Sequence, residues 1–156
     1  MQLAFLSIAT SCVPLDNPFP ISPGFDISRV AGLAQSLPSH PWEFGSAAQV
    51  LLELHNSSLS IFGCDSFRSD IDLGSVLALQ YAQRTIVISE EGKKAFANGD
   101  GALGDPASLG FSALMLGGTI SMHREAAERQ LSYVIYEAPQ YLNGATSHRV
   151  EGPELW

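Results

Sequence analysis

Asn98-Gly99-Asp100-Gly101-Ala102-Leu103-Gly104-Asp105-Pro106-Ala107-Ser108-Leu109-Gly110 is a glycine-rich turn that runs into a helix start. Asp105 suits an N-cap, Pro106 the first helical position, and Gly117-Gly118 a stop. A second helix then follows from Ser121, where Ala127, Leu131, Val134, Ile135 and Ala138 recur at helical spacing and predict the buried stripe. Arg124, Glu125, Glu128 and Arg129 predict its solvated face. Pro139 ends it, and Asn143-Gly144-Ala145-Thr146-Ser147-His148-Arg149 forms a second polar turn. An apolar helix hairpin flanked by two polar turns can place Asp105 near His148 and Arg149.

Working back toward the N-terminus, Thr85-Ile86-Val87-Ile88-Ser89 is the strand-like stretch. It predicts a small β or irregular excursion around residues 85–101. A helix is expected from about Asp72 to Gln83, and another over Glu43–His55 from Phe44, Ala47, Ala48, Leu51 and Leu52. Residues 12–41 are proline-rich and read as a lead-in with one short helix, Ile27–Ser36, capped by Asp26 or Ser28. The pattern predicts an all-α chain of roughly two helix hairpins joined by a long loop, without βαβ alternation.

The composition narrows the partners. With 46% apolar and 15% charged residues in 156, the chain can bury a single-domain core. Sixteen acidic against eight basic side chains give a net charge of −8. Without a Lys/Arg cluster, nucleic acid and anionic membrane surfaces are poor partners. An anionic ligand would have to be captured by a local cation such as Arg149. No apolar run is long enough to span a membrane. Leu3–Ala9 is apolar and Ala9-Thr10-Ser11 loosely fits a cleavage site, so residues 1–11 read as a weak signal peptide without a basic n-region. Secretion and a cytoplasmic location stay open. So do a single Cys12–Cys64 bridge and two free thiols.

Candidate chemistry is sparse, with no metal-ligand spacing, cofactor motif or serine-nucleophile motif. Asp105 offers a carboxylate for acid–base work, although its cap role alone would account for it; Asp100 is a possible second carboxylate. His148 is a candidate because histidine as a residue type can exchange a proton near neutral pH, and Arg149 presents a planar fork for a carboxylate. Trp42 can stack on a sugar ring or pack as a staple on its own helix.

Three segments together resemble a known family. Trp42-Glu-Phe-Gly45-Ser-Ala-Ala-Gln-Val-Leu-Leu-Glu-Leu54 is similar to the opening helix of the six-hairpin glycosidases. Asp105-Pro-Ala-Ser-Leu-Gly110 resembles a later hairpin entrance, and Asn143-Gly-Ala-Thr-Ser-His148-Arg149 with Glu154-Leu155-Trp156 resembles a cavity loop. The chain resembles fungal six-hairpin glycosidase-like proteins related to the unsaturated glucuronyl and rhamnogalacturonyl hydrolases (glycoside hydrolase families 88 and 105). The resemblance implies an (α/α)6 toroid, of which residues 42–156 would form about the first half. It also implies hydration of a 4,5-unsaturated uronyl oligosaccharide without metal or cofactor. Asp105 would be the catalytic carboxylate, with Trp42, His148 and Arg149 binding substrate. The family's principal acid/base Asp follows a Trp such as Trp156, so residues 1–156 alone are expected to be inactive. The rival expectation is a non-enzymatic helical-hairpin interaction module.

Overall fold

The computed structural model describes residues 22–66, 70–90, 95–96 and 101–150. These residues are mostly helical, as expected for an all-α chain, and none of them forms an extended strand. Helix α1 spans Ile27–Ser36 and opens on Asp26, whose carboxylate accepts the Arg29 N–H at 3.1 Å. Asp26 is therefore the cap, and Pro38 follows the helix end. Helix α2 spans Pro41–His55, with Pro41 at its first position, where no N–H is needed.

The helix expected over 72–83 divides. Asp72 accepts the Gly74 N–H at 3.0 Å, and Ser75 Oγ donates to the Asp72 carbonyl at 2.8 Å. These local bonds hold Leu73–Ser75 as a 3-10 turn, and Val76 is extended. Helix α3 then starts at Leu77 and runs to Thr85. Short polar side chains compete here with the helical ladder.

The helix expected from Asp105 also divides, into α4 (Gly104–Ala107) and α5 (Gly110–Leu116). Between them Leu109 N–H donates to the Pro106 carbonyl, an i to i−3 bond that tightens the turn. Helix α6 spans Ser121–Tyr136 and is capped at Ile120, so Ser121 is its first residue and not its cap. A Cβ on Gly117 would lie 2.8 Å from the Arg124 backbone, so the α5–α6 turn needs glycine for close approach.

Helix α2 packs on α3 and α5 on α6, giving two hairpins, and α5 joins them through α2 and α3. Leu51, Leu52, Leu79, Leu109 and Leu116 are fully buried in the shared core. Each stabilises the fold by roughly 1.5–3 kcal/mol. Phe44 meets Tyr81 edge-on, with ring centroids 6.5 Å apart. Helix α1 lies against α2 and contributes Ala31 to this core.

One sequence expectation needs correction. The buried face of α6 is His123, Ala126, Ala127, Gln130 and Tyr133, whereas Leu131 is 58% exposed and Ile135 47%. Ala127 and Ala138 of the expected stripe are buried and Val134 is half-buried, so the small Ala126 and Ala127 suit the close approach of α5 while Leu131 and Ile135 turn outward. The β-branched stretch gives, among the described residues, an isolated antiparallel bridge between Ile88 and Phe96, closed by Ser89 N–H to the Ala95 carbonyl at 2.8 Å, in keeping with the small β or irregular excursion expected there. Cys64 is disulfide-bonded, and Cys12 lies outside the described residues.

Candidate functional site

The second polar turn folds first on itself. Gly144 takes φ +83°, Asn143 Oδ1 accepts the Ala145 N–H at 3.0 Å, and Gln140 bridges antiparallel to Thr146. This small loop returns the chain beneath α6, where Ser147 N–H donates to the Pro139 carbonyl at 2.7 Å. The next residues meet the glycine-rich turn. Ala102 pairs antiparallel with Arg149, Leu103 N–H donates to His148 O at 2.9 Å, and Val150 N–H donates to Gly101 O at 2.9 Å. Gly101 takes φ +82°, and a Cβ there would be 3.8 Å from an Arg149 guanidinium nitrogen. A small apolar cluster of Leu103, Tyr133 and Ala138, with Val134 and Val150 beside it, holds the pairing against α6.

Asp105 lies two residues beyond this pairing, half-buried in the first turn of α4. Its side chain makes no cap hydrogen bond, which corrects the N-cap expectation; Leu103 occupies the cap position. The α4 turn is fixed from the other side by Ser108. Its Oγ donates to the carbonyls of Asp105 (2.6 Å) and Pro41 (3.1 Å), tying α4 to the start of α2. Asp105, His148 and Arg149 therefore share one end of the fold, with His148 exposed and Arg149 half-buried. Asp100 falls outside the described residues.

Trp42 does not join them. It is 50% exposed and lines an apolar groove between α1 and α2 with Val30, Leu33, Leu37 and Val50. Gly45 faces Ser108 across the α2–α4 contact. Among the described residues, no group of three or more His, Cys, Asp or Glu side chains could hold a metal ion.

The structure adds polar residues that pattern reading passed over. Glu43 Oε2 accepts the N–H groups of Ser39 (2.6 Å) and His40 (3.0 Å), closing the α2 N-terminus. These backbone bonds hold its carboxyl down at about 2. The sequence signal was a Glu three residues after the residue before Pro41, half of a capping box. Gln130 Oε1 accepts the N–H groups of Ala95 (3.0 Å) and Phe96 (3.2 Å) and so anchors the bridge segment to α6. Its signal was a lone amide at helical spacing between Ala126, Ala127 and Tyr133. His123 is buried with Nδ1 unpartnered, and burial pulls its pKa below the ordinary histidine value. Burial likewise raises the Tyr81 phenol.

No protein-family model matches this chain, nor does any curated protein or solved structure.

Proposed function

We propose that this chain supplies helical hairpins of a six-hairpin, (α/α)6 glycosidase-like protein. It would bind the unsaturated uronyl end of degraded polysaccharide where its two polar turns meet. The observation that carries the reading is the antiparallel pairing of residues 101–103 with 148–150, which puts Asp105, His148 and Arg149 at one end of the body. Arg149 offers a bidentate fork to the uronate carboxylate, a local cation in a chain of net charge −8. Asp105, as a carboxylic acid, would donate its proton to the ring alkene while water adds to the adjoining carbon. The resulting hemiketal opens to a ketone, and the hemiacetal this leaves at the anomeric carbon collapses to an aldehyde and releases the sugar as its alcohol. That addition divides acid and base roles between two groups. Trp42 faces the other groove and takes no part in this set. The disulfide at Cys64 favours an oxidising compartment and so supports export.

Calorimetric titration with an unsaturated uronyl disaccharide tests this reading, with its alkene absorbance followed in parallel. Binding is expected, weakened about tenfold or more in Arg149→Gln. No binding, or binding indifferent to Arg149→Gln, overturns it.

A second reading, a non-enzymatic helical-hairpin module, is favoured by the α1–α2 groove. That groove encloses about 480 Å³ and is walled by exposed Leu33, Leu37, Trp42 and Val50. Such a groove fits the apolar face of an added helix. Leu33→Asp and Val50→Asp should abolish self-association in sedimentation experiments. A wild-type chain that stays monomeric at all concentrations removes this reading.

A further inference from the structure

Asparagine occurs at positions 17, 56, 98 and 143, and Asn56 alone has a hydroxyl residue two positions on. Asn56-Ser57-Ser58 is thus an acceptor tripeptide for an N-linked glycan, with no proline at its centre. Such tripeptides are common, so the surroundings of this one decide whether it can be used. Asn56 ends α2, where its backbone N–H donates to Leu52 O at 2.8 Å and its carbonyl accepts Leu59 N–H at 2.8 Å. It also heads the 3-10 turn Ser57–Leu59, a position where an asparagine side chain ordinarily serves as a cap. Here the side chain makes no cap hydrogen bond. Among the described residues its amide is not one of the buried polar atoms that lack a partner, so it meets water. Ser57 and Ser58 are both exposed.

The loop beyond the tripeptide folds back on it. Asp65 N–H donates to Ser58 O at 2.8 Å, and a Cβ on Gly63 would overlap the Ser57 and Ser58 carbonyls. Ser66 Oγ donates to the Ser60 carbonyl and, at 3.0 Å, to that of Gly63. These contacts engage backbone carbonyls and leave the Asn56 amide unused. Cys64 belongs to the same loop and is disulfide-bonded, a state that persists in the oxidising secretory compartment where such glycans are attached.

We propose that Asn56 carries an N-linked glycan. The donor is an oligosaccharide on a membrane-lipid pyrophosphate, presented by a transferase of the secretory compartment. Asn56 Nδ2 attacks the anomeric carbon of the first sugar, and a C–N bond forms as the bond from that carbon to the pyrophosphate oxygen breaks. The lipid pyrophosphate leaves with the electron pair, and Nδ2 gives up one proton to a base of the transferase. The glycan adds a large hydrated group to the loop that carries Ile61 and Phe62, 54% and 87% exposed. This proposal shares an exported location with the uronyl reading and uses none of its residues.

The test directs the full chain into a eukaryotic secretory host behind a cleaved export leader. Secreted and cell-retained chains are both read, by gel mobility and by peptide mass mapping. Peptide N-glycosidase should restore the mobility of the unmodified chain and leave an aspartate at position 56 in the mapped peptide. Asn56→Gln and Ser58→Ala should each abolish the modification, whereas Ser58→Thr keeps the hydroxyl and should retain it. Because transfer is read on retained chains as well, a variant that folds poorly still reports. Uronyl binding is measured separately on Asn56→Gln, so failure of that reading leaves this one standing. An unmodified Asn56 in the wild-type chain overturns the proposal, as does a glycan that persists in Ser58→Ala.

Discussion

Leu103 donates its backbone N–H to the carbonyl of His148 at 2.9 Å, across 45 residues of chain that include the whole α5–α6 hairpin. One hydrogen bond of this kind contributes about 1 kcal/mol. Its consequence is positional: the polar turns before and after the hairpin become neighbours, and Asp105 sits two residues from the seam. Four consequences of the structure can be measured.

Close approach of α2 and α4 depends on Gly45. A Cβ there would lie 2.7 Å from the Ser108 carbonyl oxygen and 2.8 Å from its carbon, both backbone atoms. Gly45→Ala should therefore cost about 1–3 kcal/mol in urea denaturation. Gly32 in α1 has nothing within 4 Å of a new Cβ, and Gly32→Ala should stabilise by about 0.5–1 kcal/mol. Equal effects at the two sites would contradict the α2–α4 contact.

Because the Asp105 carboxylate caps nothing, Asp105→Ala should leave stability within about 0.5 kcal/mol of the wild type. A lost N-cap would cost about 1 kcal/mol. Thermal melts distinguish the two, and the larger loss would restore the cap role.

Glu43 should link stability to acid. Its folded pKa, about 2, lies below the ordinary 4.5, so its contribution is present above 4.5 and is lost as pH falls toward 2. The difference in melting temperature between wild type and Glu43→Gln should accordingly shrink across that window. A difference independent of pH would show that the Ser39 and His40 N–H bonds are not what holds the carboxylate.

His123 acts at higher pH. Burial lowers its folded pKa below the ordinary 6.5, so the unfolded chain takes up the proton first as pH drops. Its neutral form supports the fold above 6.5, and that stability is lost as pH falls from 6.5 through the lowered value. His123→Leu replaces a ring whose Nδ1 is buried and unpartnered, and should flatten the stability profile just below 6.5. Unchanged slopes in chemical denaturation would place the ring in water.

Local chemistry made much of the chain readable. Asp26 before Ile27, Pro41 at the head of α2 and the Gly117-Gly118 stop are capping and turn signals that act over a few residues. Helices with such signals were legible within a few residues of their ends. The divisions at Val76 and at Ser108 were less so, because each depends on particular side-chain bonds that propensity averages over. The Ser108 hydroxyl reaches Pro41, 67 residues away, and no local pattern reports that contact.

By itself the sequence determined an all-α chain of two helix hairpins, the polar turns beside the second, and a net charge of −8. These follow from periodicity, caps and net charge, which belong to neighbouring residues or to the sum of all of them. Tertiary packing alone decided which face of α6 is buried, since helix approach selects small side chains over the longest apolar stripe. It also decided that residues 101–103, two residues before Asp105, pair with the His148–Arg149 turn while Trp42 lines a separate groove. Both outcomes depend on contacts between residues far apart in sequence, and those form only when the hairpins pack around their shared leucine core.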